Sequence, residues 1–193
     1  DYYDFSELIR EHQVLVVTIN YRLGPMGWFT HPAIQGLQDG IDKTSNFGTL
    51  DIMQALRWVQ ANIQNFGGDP DNITIFGESA GGNNVLSLLA SPMGNGLFHK
   101  AISQSGYTTS FTKEEALGVN QKGIILNRLG SDPVLSNYDL SGYGSIKNLF
   151  NKDPKRYGEE YQRYLRSIDG KALFKIYEKL SKDTYDRLPL LTR

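Results

Sequence analysis

Apolar residues along this chain follow two different rhythms. Val14-Leu15-Val16-Val17-Thr18-Ile19 is a near-continuous apolar run, the composition of a strand buried on both faces of a parallel sheet. Ile73-Thr74-Ile75 is a shorter β-branched run that predicts a second buried strand, and Lys100-Ala101-Ile102-Ser103-Gln104-Ser105 predicts a third. Between the first two, Leu50, Met53, Ala55, Leu56, Val59 and Ile63 recur at helical spacing, predicting a helix to about Phe66 that stops at Gly67-Gly68-Asp69-Pro70. Asn83-Asn84-Val85-Leu86-Ser87-Leu88-Leu89-Ala90 predicts another. Strands alternating with helices argue for a mostly parallel α/β sheet.

Outside those elements the pattern weakens. Residues 6–12 predict a short helical stretch, and Asn20 to Phe29 a turn and loop broken by two glycines and a proline. His31 to Ser45 is polar and aperiodic, an expected exposed excursion. After Gly106 helical spacing returns across 112–129 and again from Pro154 to Lys182, with a break near Asp169-Gly170. This region is expected to be a helical insertion beside the sheet, either covering an active-site entrance or forming a surface subdomain.

The junction of the second strand and its helix carries the chemistry. Gly77-Glu78-Ser79-Ala80-Gly81 is a Gly-x-Ser-x-Gly motif between a strand and a helix, the setting of a nucleophile elbow. A sharp turn there strains the Ser79 backbone and holds its hydroxyl at the helix N-terminus, where free N–H groups favour negative charge. The Ala80 N–H is then placed to donate to an oxyanion. Gly77 and Gly81 are expected where strand and helix come closest, each leaving no room for a β-carbon. By itself the motif is weak; the flanking strand and helix give it weight.

Composition narrows the alternatives. With 193 residues, 39% of them hydrophobic, the chain can bury one sizeable core. A net charge of −1 with scattered charges leaves no nucleic-acid footprint and no patch for anionic membranes. No apolar run approaches the roughly 20 residues of a transmembrane helix. Zero cysteine excludes disulfides and thiolate chemistry and is compatible with any compartment. No His/Asp/Glu cluster has metal-ligand spacing and no phosphate loop is present, so no metal and no cofactor is expected.

Six segments in order carry a family likeness. They are Asn20-Tyr21-Arg22-Leu23-Gly24-Pro25, Asn46-Phe47-Gly48-Thr49-Leu50-Asp51, Ala55-Leu56-Arg57-Trp58-Val59-Gln60, Phe66-Gly67-Gly68-Asp69-Pro70, Phe76-Gly77-Glu78-Ser79-Ala80-Gly81-Gly82, and Gly96-Leu97-Phe98-His99-Lys100-Ala101-Ile102-Ser103-Gln104-Ser105-Gly106. Over residues 14 to 107 the chain strongly resembles the type-B carboxylesterase/cholinesterase family of α/β-hydrolases; residues 108 to 193 fit the family's helical region loosely. The resemblance implies an α/β-hydrolase-type sheet with flanking helices. Residues 1–110 would form part of that core, elbow included, and 111–193 a helical, cap-like region of the same domain. It also implies hydrolysis of uncharged carboxylic esters through an acyl-enzyme, with a small-molecule ester as partner. Ser79 matches the nucleophile and Ala80 one oxyanion-hole donor. Glu78 matches an acidic residue that shapes the site's electrostatics, and Ser105 a serine that supports the triad's acid.

Parts of that machinery have no match. A serine needs a base, and in this fold the order is Ser, then Asp/Glu, then His. His12 and His31 precede Ser79, and His99 follows too closely for an intervening acid; all three read as surface or packing residues. The family's upstream glycine-rich oxyanion loop is also unmatched. The chain is therefore expected to be an internal segment of a longer enzyme, inactive alone. The competing reading is a non-catalytic adhesion or binding protein on the same scaffold, against which the intact elbow argues. An interfacial lipase would need an amphipathic lid that the later helices do not supply.

Smaller readings concern single side chains. Glu78 is either a charge tuner or a carboxylate hydrogen-bonded near the elbow, the second being preferred. Arg22 and Asp51 are candidates for a buried structural bridge. Trp28, Phe29 and Phe111 either line a substrate pocket or pack structurally, and packing is preferred.

Overall fold

The computed structural model describes residues 3–108, 110–117, 131–136 and 143–185. Contacts divide the chain into two units, Asp1–Tyr21 with Thr49–Thr109 and Arg22–Gly48 with Ser110–Arg193. The helical segments expected after 110 are thus grouped with the stretch 22–48 that runs between the first apolar run and the first long helix.

The first unit holds the sheet. Helix α1 (Ser6–Glu11) opens it, its start held by the Asp4 carboxylate, which accepts the Ser6 N–H at 3.0 Å and the Ser6 hydroxyl. Those two bonds keep the Asp4 carboxyl below its ordinary range. The predicted amphipathic helix is α4 (Phe47–Asn62), extended by a 3-10 turn at Ile63–Phe66 and stopped by Gly67 at φ 83°. Strand β1 (Thr74–Glu78), helix α5 (Ala80–Ala90) and strand β2 (Lys100–Gln104) follow where the apolar runs place them. The strands pair in parallel with Thr74 opposite Lys100 and Glu78 opposite Gln104. The core joins the α4 stripe (Ile52, Met53, Leu56, Val59, Ile63) to Ile73 and Ile75, to Val85 and Leu88 of α5, and to Leu97.

Two strand expectations need correction. Residues 14–19 join no ladder among the described residues. Val17 is 44% exposed and Ile19 38% exposed, where burial on both faces was expected. A strand exists only by exchanging hydrogen bonds with a neighbour. Here a cavity of about 1110 Å³, lined by this run and by Ile73, Ile75, Phe76 and Ile102, takes the neighbour's place. The run therefore has strand composition without a ladder. For the same reason β1 is buried on one face only: Ile75 is covered, whereas Thr74 and Phe76 are exposed.

The second unit is built from helices. Where a loop was expected, Gly24–Trp28 forms the short helix α2, its proline in the first turn, where a missing N–H costs nothing. The stretch expected as an exposed excursion contains helix α3 (Pro32–Gln35) and a 3-10 turn at Gly40–Thr44, and its ends are buried at His31 and Ser45. A polar residue in an aperiodic stretch suggests exposure, yet His31 is buried because both its ring nitrogens are paired. Helices α6 (Lys113–Leu117), α7 (Ser131–Ser136), α8 (Tyr143–Lys152), α9 (Pro154–Arg166) and α10 (Gly170–Tyr185) follow. The expected break at Asp169-Gly170 separates the last two. The rest of the helix expected over 112–129 lies outside the described residues.

The core of this unit gathers Ala33, Val134, Leu135, Ile146, Tyr161, Leu165, Leu173 and Leu180. At its centre the Ala33 N–H donates to His31 Nδ1 at 3.2 Å, so His31 caps α3. In the neutral ring the proton then sits on Nε2, which faces the Tyr161 hydroxyl at 3.1 Å. No described helix is long and apolar enough to cross a membrane.

Candidate active site

Ser79 occupies the corner between β1 and α5. Its N–H donates to Gln104 O of β2 at 2.9 Å, adding one rung beyond the strand, and its carbonyl accepts the Asn83 N–H at 2.9 Å as the first bond of the helix. Satisfying both in consecutive peptide groups forces φ 54°, ψ −113° on a residue with a β-carbon. Such backbone costs of order 1–3 kcal/mol and persists only where its surroundings over-determine it. The residue is exposed, so the hydroxyl is open to an incoming molecule. Ala80 is the first residue of α5, whose N–H has no acceptor within the helix.

The two elbow glycines play different parts. A β-carbon on Gly77 would lie 2.5 Å from the Gly81 carbonyl carbon, a collision of backbone with side chain. A β-carbon on Gly81 would meet nothing within 4 Å, which corrects the expectation of a clash at both positions. The approach is one-sided: Gly77 needs the space, and Gly81 supplies the backbone that fills it. The second crowded glycine is Gly82, where a β-carbon would lie 2.7 Å from Gln104 O and 2.9 Å from Gly106 Cα. Residues 82 and 106 are 24 apart, so no local motif announces this contact.

Ser105 lies just beyond β2, exposed, with φ 52°, so the ends of both strands carry a serine in the left-handed region. Ser103 Oγ donates to Gly82 O at 3.2 Å, and the Tyr107 N–H donates to Asn83 Oδ1 at 2.6 Å. These bonds join β2 and the turn after it to the first turn of α5. Glu78 ends β1 with its side chain exposed.

Two of the three histidines, His99 and His31, have structural work. His99 Nδ1 accepts the Ile73 N–H at 3.1 Å while the His99 backbone N–H donates to Ile73 O at 2.8 Å, clasping the starts of the two strands. His31 is 3% exposed within the second unit, and His12 is exposed after α1. Arg22 is exposed, with its guanidinium over the Phe47 ring at 5.3 Å, which differs from the buried setting expected of a bridge. Phe29 stacks near His31 with ring centroids 6.4 Å apart, and Phe111 is exposed. Among the described residues no group of three His, Asp or Glu side chains is disposed to hold a metal ion.

Comparison with known proteins follows the same lines. The model of the Carboxylesterase family matches residues 1–137. A para-nitrobenzyl esterase of Bacillus subtilis is 40% identical over 178 residues, covering 83% of this chain and 35% of that protein. A cocaine esterase of Homo sapiens is 53% identical over 106 residues, 54% of this chain and 17% of that protein. Among solved structures, a Geobacillus stearothermophilus carboxylesterase superposes with a TM-score of 0.69 at 33% identity, over 94% of this chain and 32% of that one. The chain thus spans about a third or less of these relatives' lengths. Its parallel β1-α5-β2 unit belongs to an α/β-hydrolase-type sheet. With the family model matched across the elbow and the relatives aligned along most of its length, the chain belongs to the carboxylesterase family.

Proposed function

We propose that this chain carries the nucleophile of a serine carboxylic-ester hydrolase that works through an acyl-enzyme on uncharged esters. The observation that carries the reading is the exposed Ser79 at φ 54° on a strand-to-helix corner. Ser79 Oγ attacks the ester carbonyl carbon as a base takes its proton. The carbonyl oxygen becomes an oxyanion that accepts from the Ala80 N–H, and its collapse expels the alcohol. Water then releases the acid by the same route. Glu78 adds negative potential at the site, and Ser105 orients the acid that holds the base. A base and an acid from the greater length seen in the relatives complete the set, since His31 and His99 have structural partners here. The name para-nitrobenzyl esterase, borne by one relative, supports esters with an aryl-bearing alcohol as substrates. The family and the intact serine turn disfavour a non-catalytic binding scaffold.

The test is hydrolysis of p-nitrophenyl butyrate by the full-length protein that contains this chain. Ser79→Ala is expected to lower kcat by about 10⁵-fold or more. The 193-residue chain alone is expected to show no Ser79-dependent turnover. Full activity in Ser79→Ala overturns the assignment.

A further inference from the structure

Asn83 touches both strained turns. Its N–H donates to the Ser79 carbonyl at 2.9 Å, and its side-chain Oδ1 accepts the Tyr107 N–H at 2.6 Å. The second bond is short and bridges residues 24 apart in sequence, from the first turn of α5 to the turn that leaves β2. Beneath it the backbones of Gly82 and Gly106 are in contact, since a β-carbon on Gly106 would lie 2.5 Å from Gly82 C. Two backbone segments this close have little to hold them together except directed bonds. Two side chains provide these: Ser103 Oγ to Gly82 O at 3.2 Å, and Asn83 to Tyr107 at 2.6 Å. Two of the three left-handed serines, Ser79 and Ser105, flank this seam. A strained conformation relaxes once the groups that over-determine it are removed.

From these bonds we infer that Asn83 is a positioning residue for the ester-hydrolysis site. It clamps the Ser105-Gly106-Tyr107 turn onto the elbow helix, and thereby keeps Ser79 and Ser105 in their left-handed conformations and at a fixed separation. The inference rests on the esterase reading and adds to it a side chain that never touches the substrate. A short acceptor is required at this position: leucine matches asparagine in size but cannot accept the Tyr107 N–H, whereas aspartate can. Loss of the clamp lets the turn drift, and displacements of about 1 Å at a reacting group cost on the order of 100-fold in rate.

The experiment compares Asn83→Leu, Asn83→Ala and Asn83→Asp in the full-length protein, with p-nitrophenyl butyrate hydrolysis and amide hydrogen exchange at Tyr107 as readouts. Asn83→Leu and Asn83→Ala are expected to lose Tyr107 amide protection and to lower kcat by about 10- to 100-fold, with KM changed less than about threefold. Asn83→Asp is expected to restore both readouts to within about threefold of the parent. Asn83→Ala adds no bulk and reads the clamp should Asn83→Leu fail to fold. A folded Asn83→Ala protein with parental kcat overturns the inference, as does a Tyr107 amide that exchanges freely in the parent. Failure of aspartate to rescue kcat overturns it too. A parent protein with no Ser79-dependent hydrolysis overturns the esterase reading instead, and Tyr107 protection still reports whether the clamp exists.

Discussion

A single β-carbon separates the two elbow glycines. A β-carbon on Gly77 would lie 2.5 Å from backbone that cannot move without shifting α5, whereas one on Gly81 would meet open space. Gly77→Ala is therefore expected to destabilise the protein by about 1–3 kcal/mol, the usual range for overpacking a close contact. Gly81→Ala is expected to be neutral or to stabilise by about 0.5 kcal/mol, because alanine loses less backbone entropy in a helix. Urea denaturation of the two variants checks the contrast, and equal losses would sink it. The same scale explains why Ser79 tolerates φ 54°: its N–H and carbonyl are both committed, one to β2 and one to α5.

Among elements, the second unit depends on a polar pair inside an apolar core. Tyr161 is fully buried on α9, and its hydroxyl meets His31, whose other ring nitrogen caps α3. Phe150 of α8 closes the cluster, with its ring centroid 5.1 Å from that of Tyr161. Tyr161→Phe keeps the ring and removes the hydrogen bond, so it is expected to cost about 1–2 kcal/mol, as for other buried polar partners lost. Tyr157→Phe, on the same helix but half-buried with Arg156 over its ring, is expected to change stability by less than about 0.5 kcal/mol. Paired thermal or denaturant unfolding curves distinguish the two, and equal effects would refute a structural role for the pair. The expected helical period over 154–182 located α9 and α10, yet the period alone treats Tyr161 as one more apolar position.

For the molecule as a whole, a cavity of about 1110 Å³ in the first unit departs from a packed interior. Val17, Ile19, Phe76 and Ile102 border it while remaining 38–53% exposed. Open apolar surface of this kind takes up hydrophobic dyes. The 193-residue chain is expected to enhance the fluorescence of 1-anilinonaphthalene-8-sulfonate, and Ile19→Glu to reduce that enhancement. A native-like chain with no dye binding would contradict the open cavity. In the hydrolase proposed above, the elbow would supply the nucleophile and one oxyanion donor, and the base and acid would come from the greater length seen in the relatives.

Local order was legible in the residues themselves. The β1–turn–α5 corner, the amphipathic stripe of α4 and the break before α10 are each set by neighbours within a few positions, where backbone sterics and hydrophobic period act directly. Candidate site residues Ser79, Ala80 and Glu78 were legible for the same reason, being consecutive in one motif. What the tertiary structure alone decided involves partners distant in sequence. The Asn83–Tyr107 hydrogen bond, the contact of Gly82 with Gly106, the inward turn of His31 toward Tyr161 and, among the described residues, the missing ladder at 14–19 all belong to this class. Composition states that a run is suited to a strand or a side chain to burial. Only the packed chain shows whether a hydrogen-bonding partner lies beside it.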